Sequence, residues 1–147
     1  LNILSTIRHC IENISITNNS QTINLAENDD VMVFADESHI TQVMNNILSN
    51  AVKYSPRSQN IDITVSKVSN FVKVSIRDYG IGIGQDDKTK IFDRFYRAGS
   101  SQKKYPGMGI GLYVSQKIID NHKGTLWVES ALGEGSVFNF TLPVYKN

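Results

Sequence analysis

Residues 36–78 read DESHITQVMNNILSNAVKYSPRSQNIDITVSKVSNFVKVSIRD, and the change of period inside this stretch decides the fold class. From Asp36 onward, Ile40, Val43, Met44, Ile47, Leu48 and Ala51 recur at helical spacing until Ser55-Pro56, and Asp36 is suited to cap the first turn. The period then drops to two. Ile61, Ile63 and Val65, followed by Val72, Val74 and Ile76, alternate with polar residues around Ser69-Asn70, as a hairpin with one buried face should. A helix leading directly into a hairpin is not the strict strand-helix alternation of a parallel sheet.

Working outward, Ile3, Leu4, Ile7, Cys10, Ile11 and Ile14 predict an amphipathic helix over 1–14 with Cys10 as a packed thiol. The apolar runs 22–25 and 31–34, separated by the turn-rich Glu27-Asn28-Asp29-Asp30, are read as two paired strands. Beyond the hairpin come a glycine loop at 80–84, a short helix around 88–95, a polar stretch at 98–106 suited to a mobile lid, and a helix over about 110–122. Gly124 sits where a helix C-cap glycine belongs, and 126–128 with 136–142 form a closing hairpin across Gly133-Glu134-Gly135. The expected architecture is one domain, an α/β sandwich with a mixed, mainly antiparallel sheet and helices packed on one face.

Composition narrows the function classes. The 147 residues are 40% hydrophobic and 20% charged, enough to bury one core. Fifteen Lys+Arg against fourteen Asp+Glu leave a net charge of +1, so no whole-molecule attraction for nucleic acid is expected and any anion site must be local. No apolar run approaches the roughly 18 residues of a membrane span, and Leu1-Asn2-Ile3-Leu4-Ser5 lacks the pattern of a signal peptide, so neither membrane insertion nor export is expected. The single cysteine excludes an internal disulfide and a multi-cysteine zinc site, and fits a reducing compartment.

Three clusters could carry chemistry. On a helical wheel of about 100° per residue, His39, Gln42, Asn46, Asn50 and Lys53 form a polar stripe beside the apolar face of the helix at 36–55. Such a stripe is either a solvated face or the border of a ligand cleft. Asparagine amides and a lysine would suit a magnesium nucleotide, because a neutral oxygen ligates a hard cation and an ammonium neutralises phosphate. Asp78, at a strand end before Tyr79-Gly80-Ile81-Gly82-Ile83-Gly84, is either a turn-capping acid or an acceptor for an exocyclic amine such as that of adenine. Gly107, Gly109 and Gly111 precede a helix, where freed backbone N–H groups and the helix dipole favour an anion. Neither the dinucleotide fingerprint nor a P-loop fits, since the third glycine spacing is wrong and Lys123-Gly124-Thr125 is not Gly-Lys-Ser/Thr.

Taken in order, Asn46-x-x-x-Asn50-x-x-Lys53, Asp78-x-Gly80-x-Gly82-Ile83, Phe92-Asp93-Arg94-Phe95-Tyr96-Arg97, Gly107-x-Gly109-x-Gly111-Leu112 and Gly133-x-Gly135-Ser136-x-Phe138 resemble the signature boxes of the catalytic ATP-binding domain of sensor histidine kinases. The resemblance spans 36–143 and implies a Bergerat-type fold, shared with gyrase, a heat-shock chaperone ATPase and mismatch-repair ATPases, that binds ATP with Mg2+ between helices and a lid. It assigns magnesium to Asn50, the phosphate site to Asn46, phosphate and nucleoside contacts to Lys53 and Tyr54, and the adenine amine to Asp78. Gly80, Gly82 and Ile83 would shape the base pocket, Phe92 and Phe95 anchor the lid, and Gly107, Gly109, Gly111 and Leu112 form the phosphate-side turn, with Ser136 also on the pocket. Arg97 would approach the γ-phosphate and, with Asn46 and Lys53, make up the catalytic set. Tyr79 stands where Asn is usual and Met108 where Thr is usual, which implies altered pocket detail with binding retained.

The implied partners are a phosphoacceptor helical domain and a downstream response regulator. His9, His39 and His122 do not sit as an acceptor histidine followed by an acid in a helical hairpin, so the chain is expected to be a catalytic domain whose acceptor and sensor parts lie upstream, in the cytoplasmic portion of a membrane-bound sensor. A rival reading is an ATP-gated dimerisation module of the gyrase, chaperone or mismatch-repair type; the wording of the 92–97 box favours the kinase. A non-binding interaction domain is disfavoured because the ligand-type residues are all present.

Overall fold

The computed structural model describes residues 1–17, 21–27, 31–55, 60–88, 90–93 and 110–145. In chain order they form α1 (Ile3–Thr17), β1 (Thr22–Glu27), α2 (Glu37–Tyr54), β2 (Asn60–Val68), β3 (Phe71–Asp78), α3 (Gln85–Lys88), α4 (Gly111–Asn121), β4 (Leu126–Ser130) and β5 (Ser136–Pro143). The strands build a five-stranded sheet in the order β1-β2-β3-β5-β4, with β1 parallel to β2 and the other pairings antiparallel. This is the mixed sheet of the sequence reading.

Alternation places one side of the sheet in the core. Ile61, Ile63 and Val65 of β2, Val72, Val74 and Ile76 of β3, and Phe138, Phe140 and Leu142 of β5 are buried together with Ile40, Val43, Met44, Ile47, Leu48 and Ala51 of α2. Each of these side chains larger than alanine contributes roughly 1.5–3 kcal/mol of transfer free energy, so the coincidence of the two periods holds the layers together. α2 packs on β3 and between α1 and α4. Asp36 caps α2 as expected, its carboxylate accepting the His39 N–H at 3.1 Å. Cys10 is buried, and burial pushes its thiol up from the ordinary range. Among the described residues no helix is long and apolar enough to cross a membrane.

Three local expectations are corrected. Residues 31–34 do not pair with β1; Val33 bridges Val144 and Met32 bridges Asn2, so this segment continues the lane of β4 alongside the end of β5. A four-residue apolar run carries no information about its partner, and β1 instead gains parallel bonds from β2. The short helix expected over 88–95 lies earlier, at α3, where the Gly84 carbonyl accepts the Asp87 and Lys88 N–H groups at 3.1 Å each. Asp86 and Asp87 suit its first turn, whereas Ile91 and Phe92 pack from turns. At the end of α4 the left-handed residue is Lys123 (φ 64°), not Gly124. Lys123 N–H reaches Asp120 O and Gly124 N–H reaches Ile119 O, both at 3.0 Å, which completes a Schellman motif one residue earlier. Gly124 is required for another reason: a Cβ there would lie 1.9 Å from the Thr141 carbonyl oxygen.

Candidate nucleotide site

Strand β3 delivers Asp78 to the core side of the sheet, where it is 4% exposed. Its carboxylate accepts the Gly80 N–H at 3.0 Å and is also bonded by the Ser136 backbone, its register partner on β5. Among the described residues no basic side chain offsets the charge. Burial therefore raises its pKa, opposed by those two backbone donors. An acid held by main-chain N–H groups and with no basic partner among the described residues is positioned to accept from a ligand.

The wall around Asp78 is main chain. A Cβ on Gly80 would sit 1.8 Å from the Tyr54 carbonyl oxygen, and one on Gly135 2.2 Å from the Asp78 carbonyl oxygen. Gly82 and Gly135 adopt φ of 74° and 77°, so both the close approach and the conformation demand glycine. The Ile81 N–H donates to Tyr54 O at 3.2 Å and the Gly133 N–H to Ile81 O at 2.8 Å, which ties the glycine loop to the end of α2 and to the β4–β5 turn. Ile83 is fixed through its N–H to Ser130 Oγ at 2.7 Å. Ser130 Oγ also donates to Gly135 O at 2.7 Å and lies 2.9 Å from Ser136 Oγ. Sequence reasoning missed Ser130, although its place opposite Ser136 in the closing hairpin was the available signal.

The polar stripe of α2 meets α4. Asn46 Nδ2 donates to Gly111 O and to Ser115 Oγ, both at 3.1 Å, so Asn46 joins α2 to the first turn of α4. Ser115, fully buried and also bonded to Gly111 O at 2.8 Å, is a second contributor that the sequence reading missed. Asn50 is half-buried one turn beyond Asn46, Lys53 is exposed in the last turn, and Tyr54 is half-buried where its carbonyl meets the glycine loop. Leu112 packs against the core, as does Phe92, whose ring meets Phe138 edge-on at 6.4 Å. Phe95, Arg97, Gly107, Met108, Gly109 and the 98–106 stretch expected as a lid lie outside the described residues.

Residues 35–146, which include the α2 stripe, Asp78 and the glycine turns, match the family described as histidine kinase-, DNA gyrase B-, and HSP90-like ATPase. The chain belongs to this ATPase family. Within it, the chain is of the histidine kinase type. The catalytic domain of histidine kinase ThkA superposes with a TM-score of 0.82 at 31% identity, covering 97% of this chain and 95% of that one. Sensor histidine kinase WalK of Bacillus subtilis is 41% identical over 120 residues, 80% of this chain and 20% of WalK. Full-length ShkA, solved in complex with AMPPNP, superposes with a TM-score of 0.86 at 25% identity, covering all of this chain and 31% of ShkA. The chain thus spans about a fifth of the length of WalK. Its open five-stranded sheet with helices on one face is the Bergerat-type arrangement of these ATPase domains.

Proposed function

We propose that this domain binds Mg-ATP and presents the γ-phosphate to a histidine on a separate helical phosphoacceptor domain of the same sensor kinase, which then feeds a response regulator. The observation that carries this reading is Asp78, a buried carboxylate held by backbone donors among glycines, one of which, Gly80, abuts the Tyr54 carbonyl at the end of α2. Asp78 would accept the adenine amine, with Gly80, Gly82, Ile83 and Ser136 shaping the base pocket. The residues fit a magnesium nucleotide: Asn50 would hold the cation, which supplies charge neutralisation at the phosphates when bound. Asn46, held against Gly111, would line the phosphate site. Lys53 and Arg97 would neutralise phosphate charge, Tyr54 contact the nucleoside, Phe92 and Phe95 anchor a lid, and Gly107, Gly109, Gly111 and Leu112 form the phosphate-side turn. The chain's own contribution is positioning and electrostatics, since phosphoryl transfer asks little covalent chemistry of the protein. The setting we infer is the cytoplasmic part of a membrane-bound sensor.

None of the three histidines suits the acceptor role. His122 has both ring nitrogens engaged, Nδ1 with Ile118 O at 2.7 Å and Nε2 accepting the Asp36 N–H at 3.1 Å. His9 is exposed on α1, and His39 is exposed on α2 with its ring edge-on to that of His122 at 5.8 Å. With labelled ATP, the chain alone should bind nucleotide without labelling itself. Adding the separately made acceptor hairpin should give slow, concentration-dependent, acid-labile label. Label appearing on His9, His39 or His122 of the isolated chain at a comparable rate would overturn the assignment. ATP-driven dimerisation without transfer would point to the gyrase-type alternative.

A further inference from the structure

We propose that Gln21, at the head of β1, is a positioning residue for the nucleotide site: it holds the last turn of α2, and so the backbone that carries Lys53 and Tyr54, in a fixed orientation. This deepens the Mg-ATP reading and rests on it. Gln21 lies outside residues 35–146, the part of the chain that matches the ATPase family.

The end of α2 cannot close on itself. A helix leaves its last carbonyls without intrahelical partners, and both common terminal motifs satisfy some of them with the N–H of the residue after the cap. Here the cap is Ser55, with extended backbone (φ −103°, ψ 141°), and the residue after it is Pro56, which has no N–H. Neither motif can form. The Ser55 hydroxyl does not substitute, because its oxygen is buried without a hydrogen-bond partner. Packing is thin as well: Ala51 is the last buried residue of α2, whereas Val52 and Tyr54 are half-buried and Lys53 is exposed.

Donors from elsewhere in the fold take over. Gln21 Nε2 donates to Val52 O and to Ser55 O, both at 3.2 Å, and the Ile81 N–H donates to Tyr54 O at 3.2 Å. A primary amide nitrogen carries two hydrogens, and Gln21 directs them to two carbonyls of the same turn. Those carbonyls are three residues apart and bracket Lys53 and Tyr54, the residues proposed to meet phosphate and nucleoside. Gln21 thus grips the turn from β1, while the glycine loop beside Asp78 grips it at Tyr54. With both grips in place the turn is ordered before ATP arrives, and binding does not have to order it.

The test uses Gln21→Met, which keeps the side-chain length and removes both donors. In this variant the Ile81 amide should exchange about tenfold faster without nucleotide, the scale of one or two net hydrogen bonds. The Kd for ATP should rise about tenfold at a temperature where the variant is fully folded, the scale of ordering one or two side chains on binding. Gln21→Lys restores donors and should recover the original affinity, whereas Thr22→Lys, an exposed neighbour added to Gln21→Met, should not. Asn24→Ala removes another bond of β1, to Asp62 at 3.0 Å, and should leave ATP affinity unchanged. An unchanged Kd in Gln21→Met overturns the proposal, as does an equal loss from Asn24→Ala or an equal rescue by Thr22→Lys. If Gln21→Met does not fold, Gln21→Asn, one methylene too short, is read in the same way. A starting chain that binds no ATP sinks the nucleotide site and this proposal with it; a chain that binds ATP equally well before and after Gln21→Met sinks this proposal alone.

Discussion

Replacing Asp78 by Asn should lower nucleotide affinity without lowering stability. The Asn Oδ1 can still accept the Gly80 N–H, which keeps the side chain anchored to the glycine loop. What disappears is a buried negative charge that no basic side chain offsets among the described residues. The folded pKa of Asp78 is raised above the ordinary carboxylate value of about 3.9. The folded state therefore favours the protonated acid, and that contribution, present in full below the ordinary value, is lost as pH rises through the folded pKa. At neutral pH the substitution removes this penalty, and thermal unfolding should be unchanged or shifted upward. Affinity falls, because the amide presents a donor where the carboxylate accepted. The loss is that of a hydrogen bond to a charged group, about 1.5–3 kcal/mol, or roughly 10- to 150-fold in Kd for ATP. Calorimetry at pH 7 paired with a melting curve reads both quantities. Unchanged ATP affinity, or an affinity loss accompanied by an equal loss of stability, would refute the role given to Asp78.

Asn50→Ala should weaken ATP binding in the presence of magnesium more than in its absence, since the substitution removes a neutral oxygen ligand and leaves Asp78 untouched; titrations with and without the metal decide it, and equal losses count against a metal role. Gly135→Ala should destabilise the fold by about 1–3 kcal/mol from backbone strain alone, and more from the clash with the Asp78 carbonyl, as read by urea unfolding. Tyr79→Phe removes the phenol bond to Asp62, the main cause, ahead of Asn24, of that acid's lowered pKa. A lowered folded pKa stabilises above the ordinary carboxylate value and is lost as pH falls through the folded one. The variant should therefore be less stable at pH 7 by under about 1 kcal/mol at this half-exposed site, with the gap closing in strong acid.

The elements read correctly from sequence are those whose signal is local and repeated. α2 carries six buried positions at helical spacing behind a capping aspartate, and β2 and β3 carry three alternating buried apolar residues each around Ser69-Asn70. Partner choice is not local, which is why 31–34 was assigned to β1 when its bonds go to residues 143–145 and to the chain's beginning. Helix ends depend on single-residue conformation, and nothing in the Lys123-Gly124 pair told which of the two would turn left-handed. At the site, residue types pointed to Asp78 and to the glycines. The bonds of Asn46 to α4, and the serines that brace the glycine turns, required the register of the sheet and the approach of two helices.

Because the wall facing Asp78 is built from carbonyls and glycines, it offers few side chains that mutation could enlarge. Tyr54 and Asp78 meet Gly80 and Gly135 through their carbonyl oxygens, and any residue at those two positions would present the same oxygen. An inhibitor that lies against these glycines and donates to the Asp78 carboxylate would leave the domain a narrow route to resistance. Obstructing it from Gly80, Gly82 or Gly135 breaks the fold, and altering Asp78 sacrifices the ligand contact that the enzyme itself would need.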